Sequence, residues 1–255
     1  MKKALFYPDA PVQHRGHSLS KTITYFTMLG YQLTNDINDN WDIGVHWNYA
    51  DVNKTPKALQ EDPRVVLNRV LNNVTKSNVD KVFTEAFGYS SMADTTAFGY
   101  CVKKSDRQSA HDGAFIKTPC RKERGWIYQK LIDNRMAPSA IYDIRIPIFN
   151  GEIPIIVIKS RTVEGTFENT LSRNKKYWTS SVGSYLSQTE VSQIRRFCKI
   201  IGLDIGELDA LRDNSTGLLY IVDVNNIPGG AFFDHINDGS NLRNQLAQCL
   251  KKQIG

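Results

Sequence analysis

Between residues 97 and 160 the chain passes through five apolar, β-prone runs with almost no room for helices between them. They are AFGYCV (97–102), GAFIKT (113–118), WIYQKLI (126–132), AIYDIRIPIF (140–149) and IPIIVIKS (153–160). Asp112-Gly113 and Asn150-Gly151 interrupt the series, the second a strong signal for a two-residue hairpin. A parallel neighbour needs a crossover of a dozen or more residues, which these short gaps do not supply. The middle of the chain is therefore expected to form antiparallel sheet.

Helical and strand patterns flank this block. Ala4–Tyr7 reads as a short strand, followed by a polar loop and a helical pattern from about Ser18 (N-cap) to Met28, with Gly30 as its stop. Ile43–Trp47 reads as a second strand, so the beginning is βαβ-like but too short for a full doubly wound domain. Val66, Val70, Leu71, Val74, Val79, Val82 and Phe83 suggest a helix over 62–86. A helix over Gln188–Ile200, a strand pair through Asn214-Ser215-Thr216-Gly217 and a closing helix near 241–252 complete the pattern. The expected fold class is α+β.

With 255 residues the chain is long enough for one large domain or two small ones, and needs no disulfide or metal to hold a core. Cys101, Cys120, Cys198 and Cys249 lie far apart without a CxxC pair, so they read as reduced, packed thiols. The longest apolar run, Ile153–Ile158, is strand-length, which predicts no membrane span. Pro8 and Asp9 cut the first apolar run too early for a signal peptide, which leaves the cytoplasm as the expected compartment. The net charge of +6 points to an anionic partner without choosing among nucleic acid, nucleotide, membrane surface and acidic substrate.

The segment from Gly206 to Gly230 narrows that choice. Two strands joined through a glycine-containing turn place Asp209 on one and Asp223 on the other. Side-chain alternation puts Asp223 and Asn225 on one face, with Val222 and Val224 on the opposite face. Three oxygen donors converging from neighbouring strands suit Mg²⁺, a hard cation that keeps waters and takes phosphate oxygens as further ligands. A surface hairpin with solvated carboxylates is the competing reading. Against it, both aspartates are embedded in apolar runs, where an unpaired carboxylate is costly.

A β-run ending Asp223-x-Asn225-x-x-Pro228-Gly229, with Asp209 on the partner strand, resembles the metal hairpin of the ATP-grasp superfamily. Other segments resemble that superfamily in the matching order over residues 74 to 230. They are Val74-Thr75-Lys76-Ser77 ahead of Phe87-Gly88, the lysine strand Tyr100–Ser105, the loop Gln108–Gly113, the hinge Ile127–Ile132, and the strands Asp143-Ile144-Arg145 and Lys159-Ser160-Arg161. The resemblance implies an ATP-grasp fold with a short N-terminal α/β (pre-ATP-grasp) portion, residues 1–75 on the substrate side and 76–255 as the core. Within the superfamily the chain looks most like compact proteins found with bacterial surface-polysaccharide synthesis genes.

The same resemblance implies site residues. ATP and Mg²⁺ would be the cofactors, with Asp209, Asp223 and Asn225 on the metal. Lys76 and Lys104 would face phosphates; strand alternation admits only one of Lys103 and Lys104. His111 and Gly113 belong to the covering loop, which carries a single glycine where the superfamily's form is richer in them. Gln129, Lys130 and Leu131 would flank adenine, and Asp133 is either a ribose ligand or a solvated carboxylate. Arg145, Lys159 and Arg161 would stabilise the transferring phosphoryl group, with Asn169 on the substrate side and the acceptor over Arg173. His14, Arg15 and His17 sit in a loop that either binds substrate or is an ordinary polar loop, and His46 can join them.

The activity so implied is a carboxylate–amine ligase that forms an acyl phosphate, in surface-polysaccharide or peptide-like modification. Its partners would be a small-molecule or glycan-linked carboxylate and an amine acceptor, without nucleic acid or a membrane span, and with a homodimer as the candidate assembly. An ATP-grasp kinase is the alternative. A basic nucleic-acid-binding protein rests only on the run Arg173–Trp178.

Overall fold

Four short strands build the first sheet: Lys3–Pro8 (β1), Gln32–Thr34 (β2), Ile43–Trp47 (β3) and Val66–Leu67 (β4). They pair in parallel in the order β2-β1-β3-β4. The computed structural model describes residues 1–10, 20–108, 110–162, 175–229 and 231–255. The helix between β1 and β2 is Lys21–Met28 (α1), flanked by Ser20; the proposed cap Ser18 and the loop of His14, Arg15 and His17 lie outside the described residues. A single helical turn, Lys57–Gln60 (α2), precedes β4.

The helix suggested over 62–86 is only Lys76–Phe87 (α3). Val66 and Leu67 instead pair with Gly44 and Val45 and are buried beside β3, a tertiary use of apolar residues that overrides their helical spacing. Local chemistry sets both ends of α3. The Thr75 side chain accepts a hydrogen bond from the Asn78 N–H, and Gly88 stops the helix in the left-handed region at φ 85°.

The middle of the chain is antiparallel, as its spacing demands. Gly99–Ser105 (β5), Ala114–Thr118 (β6) and Trp126–Lys130 (β7) form a three-stranded sheet ordered β6-β5-β7. Arg135–Ala137 (β8), Ala140–Phe149 (β9), Ile156–Thr162 (β10), Lys175–Ser180 (β11), Ile205–Arg212 (β12) and Leu219–Asn225 (β13) form the larger sheet. Its order is β11-β10-β9-β12-β13, with β8 also on β9. Asn150 and Gly151 turn with φ of 48° and 80°, the paired left-handed geometry of a type I′ hairpin.

One face of the larger sheet is covered. Ile144, Ile146, Ile148, Leu208, Ala210 and Val224 point into a core closed by α3 and by Gln188–Ile201 (α4). Each fully buried aliphatic side chain there contributes on the order of 1.5–3 kcal/mol. On the opposite face Phe149, Val157 and Ile205 pack into the core of the first sheet, and the rest of that face carries the cleft. The last helix, Gly239–Ile254 (α5), returns to the first sheet: Leu242, Leu246 and Leu250 share a core with Phe6, Ile23 and Phe26. Among the described residues no helix is long and apolar enough to cross a membrane.

Gly202 ends α4 at φ +86°, where an added Cβ would lie 2.6 Å from Val70 Cγ2 and 2.8 Å from the Val70 carbonyl carbon. Gly202→Ala is expected to lower stability by about 2–4 kcal/mol in urea unfolding, against about 1 kcal/mol for Gly88→Ala, which meets open space. Equal losses would show that the chain near Val70 yields.

Candidate functional site

Residues directly opposite one another in an antiparallel sheet share a face, so strand register maps the side of the larger sheet that carries the cleft. One rung reads Tyr177, Lys159, Asp143 across β11, β10 and β9. The next reads Thr179, Val157, Arg145, Asp209, Asp223 from β11 to β13. A third sets Pro147, Glu207 and Asn225 in line, while Arg161 stands beside Lys175 and Ile141. The three-stranded sheet faces this surface and encloses a cavity of about 250 Å³.

The cleft gathers most of the residues singled out by sequence. Lys76, Lys104, His111, Gly113, Gln129, Lys130, Arg145, Lys159, Arg161, Asp209, Asp223 and Asn225 all line it. Lys103 points away, pairing with Glu123 and lying over the Trp126 ring, as alternation along β5 requires. Asn169 and Arg173 lie outside the described residues.

Two expected positions lie off the cavity. Leu131 is largely exposed and Asp133 is held by Arg135 in a fork of 2.7 and 2.8 Å; neither lines the cleft. Gln129, opposite Val102, faces the cavity by the register of β5 and β7, and Lys130, Ile132 and Asn134 also line it, whereas Leu131 and Asp133 do not. The Lys130 N–H is used by the Ser91 carbonyl, 2.8 Å away. Likewise Val222, expected on the face opposite Asp223, lines the cleft. Asp209 pairs with Asp223 and Ala210 with Ile221, which leaves Val222 as the extra residue of a β-bulge that re-aims its side chain.

His46 is buried with Nδ1 near the Asn68 carbonyl and the Thr55 hydroxyl, a packed histidine inside the first sheet. Burial lowers its pKa.

Two buried carboxylates, Asp143 and Glu207, receive no role from the sequence. Asp143 accepts from Arg161 Nη2 at 2.8 Å on both oxygens and lies 3.7 Å from Lys159. Glu207 is buried between Lys21 and Arg145. The available signal was alternation: Asp143 is two residues from Arg145, and Glu207 two from Asp209, so each pair shares a face.

The electrostatics follow from burial. Asp223 is pushed up to about 6, first by desolvation and then by facing Asp209, with Lys76 and Lys104 opposing. Lys104 is pulled down to about 8 by burial, against the attraction of Asp223. Lys159 is lowered by burial and by Arg145, and His111 by burial and three lysines. Burial opposes the charge of Arg145, but Asp209 and Glu207 more than offset it and hold the guanidinium fully protonated.

A divalent cation fits the hairpin end of this cleft. Among the described residues no group of three His, Cys, Asp or Glu side chains forms a metal cage. The donors here are two facing carboxylates and one carboxamide, a sparse oxygen set of the kind Mg²⁺ accepts. Asp209 Oδ1 and Asn225 Nδ2 are buried without a hydrogen-bond partner, as are the Nε atoms of Arg145 and Arg161. Such orphaned groups are costly unless a ligand or solvent meets them.

No family model matches the chain, and no curated protein matches it in sequence. Solved structures do match it in fold. The ATP-grasp ligase PsnB, complexed with a phosphomimetic variant of minimal precursor, Mg and ADP, is 12% identical over 100% of this chain and 99% of that chain, with a TM-score of 0.61. D-cycloserine synthetase DcsG is 11% identical over 100% of both chains, with a TM-score of 0.57. D-alanine–D-alanine ligase from Bacillus anthracis, complexed with ATP, is 11% identical over 100% of this chain and 99% of that chain, with a TM-score of 0.56. Likeness at these identities shows the fold alone.

Proposed function

We propose that this chain, which has the ATP-grasp fold, is an ATP- and Mg²⁺-dependent ligase that activates a carboxylate as an acyl phosphate for attack by an amine. One observation carries the reading. The facing pair Asp209 and Asp223, with Asn225, stands in the same cleft as Lys76, Lys104, Arg145, Lys159 and Arg161. A triphosphate brings about four negative charges, which fixed cations and a divalent ion must neutralise together. ATP-grasp ligases among the solved neighbours, recorded with Mg and ADP or with ATP, support the same assignment.

Asp209, Asp223 and Asn225 would hold Mg²⁺, which would supply charge neutralisation for the phosphoryl transfer. Lys76 and Lys104 bind phosphate oxygens, and the loop carrying His111 and Gly113 covers them. The apolar end of the cleft, Val102, Ile132, Leu211 and Val222, takes the adenine ring beside Gln129 and Lys130. Lys159 and Arg161, sharing the single carboxylate of Asp143, keep surplus positive charge for the transferring phosphoryl group. The substrate carboxylate attacks that group and ADP departs; the amine then attacks the acyl carbon and phosphate leaves. Catalysis is positioning and charge neutralisation, with no protein nucleophile.

Residues 1–75 form the substrate side in this reading, and 76–255 the nucleotide-holding core. The acid is a carboxylate of a surface-polysaccharide or peptide-like unit; a precursor in the PsnB complex supports the peptide-like branch. Dependence on ATP and four free cysteines fit a cytoplasmic setting. With ATP, Mg²⁺ and mixed carboxylates, the purified protein is expected to release ADP and phosphate only when acid and amine are both supplied. Release of AMP and pyrophosphate would overturn the acyl-phosphate route, and a phosphorylated product formed without amine would mark a kinase.

A further inference from the structure

Lys21 occupies an unfavourable place for a cation. It is the first residue of α1, at the positive end of the helix dipole, and its side chain is 1% exposed. Burial draws its pKa down to about 8 against the opposing pull of Glu207. Its ammonium donates to Glu207 Oε1, and Glu207 is buried as well. The other oxygen of Glu207 lies 3.4 Å from Arg145 Nη1, while Arg145 Nη2 lies 3.4 Å from Asp209 Oδ2. A line of alternating charge therefore runs from α1 to one carboxylate of the cation-binding hairpin.

Hydrogen bonds also tie the start of α1 to the chain just beyond β13. The Lys21 N–H donates to the Pro228 carbonyl at 2.9 Å, and Ser20 Oγ reaches the same carbonyl at 3.1 Å. Pro228 lies just beyond Asn225, and Asn225 faces Glu207 across the hairpin. Stability does not account for such a pair, since apolar residues of similar volume replace buried ion pairs at little or no cost.

We propose that Lys21 and Glu207 are positioning residues that divide Arg145 between Glu207 and Asp209, and so set how much of the Asp209 carboxylate is free for a divalent cation. The proposal rests on the ATP-grasp ligase reading. With Lys21 neutralising Glu207, Arg145 is shared between two carboxylates. Without the ammonium, Arg145 closes on Glu207 and releases Asp209. Without the Glu207 charge, Arg145 turns wholly to Asp209 and competes with the cation.

The test is calorimetric titration of MgCl₂ into protein saturated with ADP. Lys21→Met is expected to tighten Mg²⁺ binding about five-fold, and Glu207→Gln to weaken it about ten-fold. In an Arg145→Gln background both shifts should shrink below about two-fold, because the effect travels through Arg145. A merely structural pair would move both variants in the same direction. Shifts of one sign, or shifts that survive in Arg145→Gln, overturn the proposal. Should Lys21→Met fail to fold, Lys21→Gln carries the same expected sign. A wild-type protein that binds neither ADP nor Mg²⁺ defeats the ligase reading and this inference with it. Wild-type binding with unmoved variants defeats the inference alone.

Discussion

Asp223→Asn is expected to abolish Mg²⁺-dependent ADP formation, by about 10³-fold or more, while making the ligand-free protein more stable at pH 7.5. The activity loss follows from deleting one of two facing carboxylates in a sparse donor set. The stability gain follows from the pKa of Asp223, raised from 3.8 to about 6 by burial and by Asp209. Between those values the folded protein binds more protons than the unfolded chain. The sign is therefore fixed: stability is greatest with the group protonated and falls as pH rises through about 6. At pH 7.5 the buried charge costs at most about 2–3 kcal/mol, and the neutral amide should recover about half of it. Thermal melts of both proteins at pH 7.5 and pH 4.5 check this, since the gain should shrink at the lower value, most of the loss developing between about 4 and 6. Full activity in the variant would remove Asp223 from the cation site.

Lys104→Met is expected to weaken ADP binding about 100-fold, whereas Lys103→Met, on the other face of β5, should change it less than two-fold. Burial lowers Lys104 from 10.5 to about 8. Wild-type affinity for the anionic nucleotide should accordingly fall as pH rises past about 8, as the ammonium is lost. Stability moves the other way. The folded state holds fewer protons than the unfolded chain between about 8 and 10.5, so this group's contribution to stability rises across that window. ADP titrations and melts from pH 7 to 9.5 report both trends, and the methionine variant should show neither. Affinity that stays level to pH 9 in the wild-type protein would exclude Lys104 as a phosphate ligand.

Much of the architecture was legible where local periodicity and tertiary use agree. The strands from 97 to 160, the Asn150-Gly151 hairpin and the choice of Lys104 over Lys103 all follow from period-two alternation and turn chemistry. Legibility failed where a long-range partner decides. Val66 and Leu67 fit a helix until β3 offers them an open edge. The Val222 bulge is a mismatch between two strands, invisible in either alone. Alternation places Asp143 and Glu207 on the faces of Arg145 and Asp209, but their partners Arg161, Lys159 and Lys21 lie on other elements that no local window contains. Asp133, which the sequence leaves open between a ribose ligand and a solvated carboxylate, is paired with Arg135 outside the cavity.

The return of α5 to the first sheet has a consequence for how the chain acquires its shape. Ile23 and Phe26 on α1 are covered by Leu242, Leu246 and Leu250, more than 200 residues later in synthesis. During translation the earliest strands must wait for the final helix, leaving their apolar side uncovered through the emergence of everything between. Such distant closure slows folding and prolongs exposure of a sticky surface. Segment 1–75 made alone would keep that surface permanently open, so a fragment is a poor vehicle for studying the substrate side.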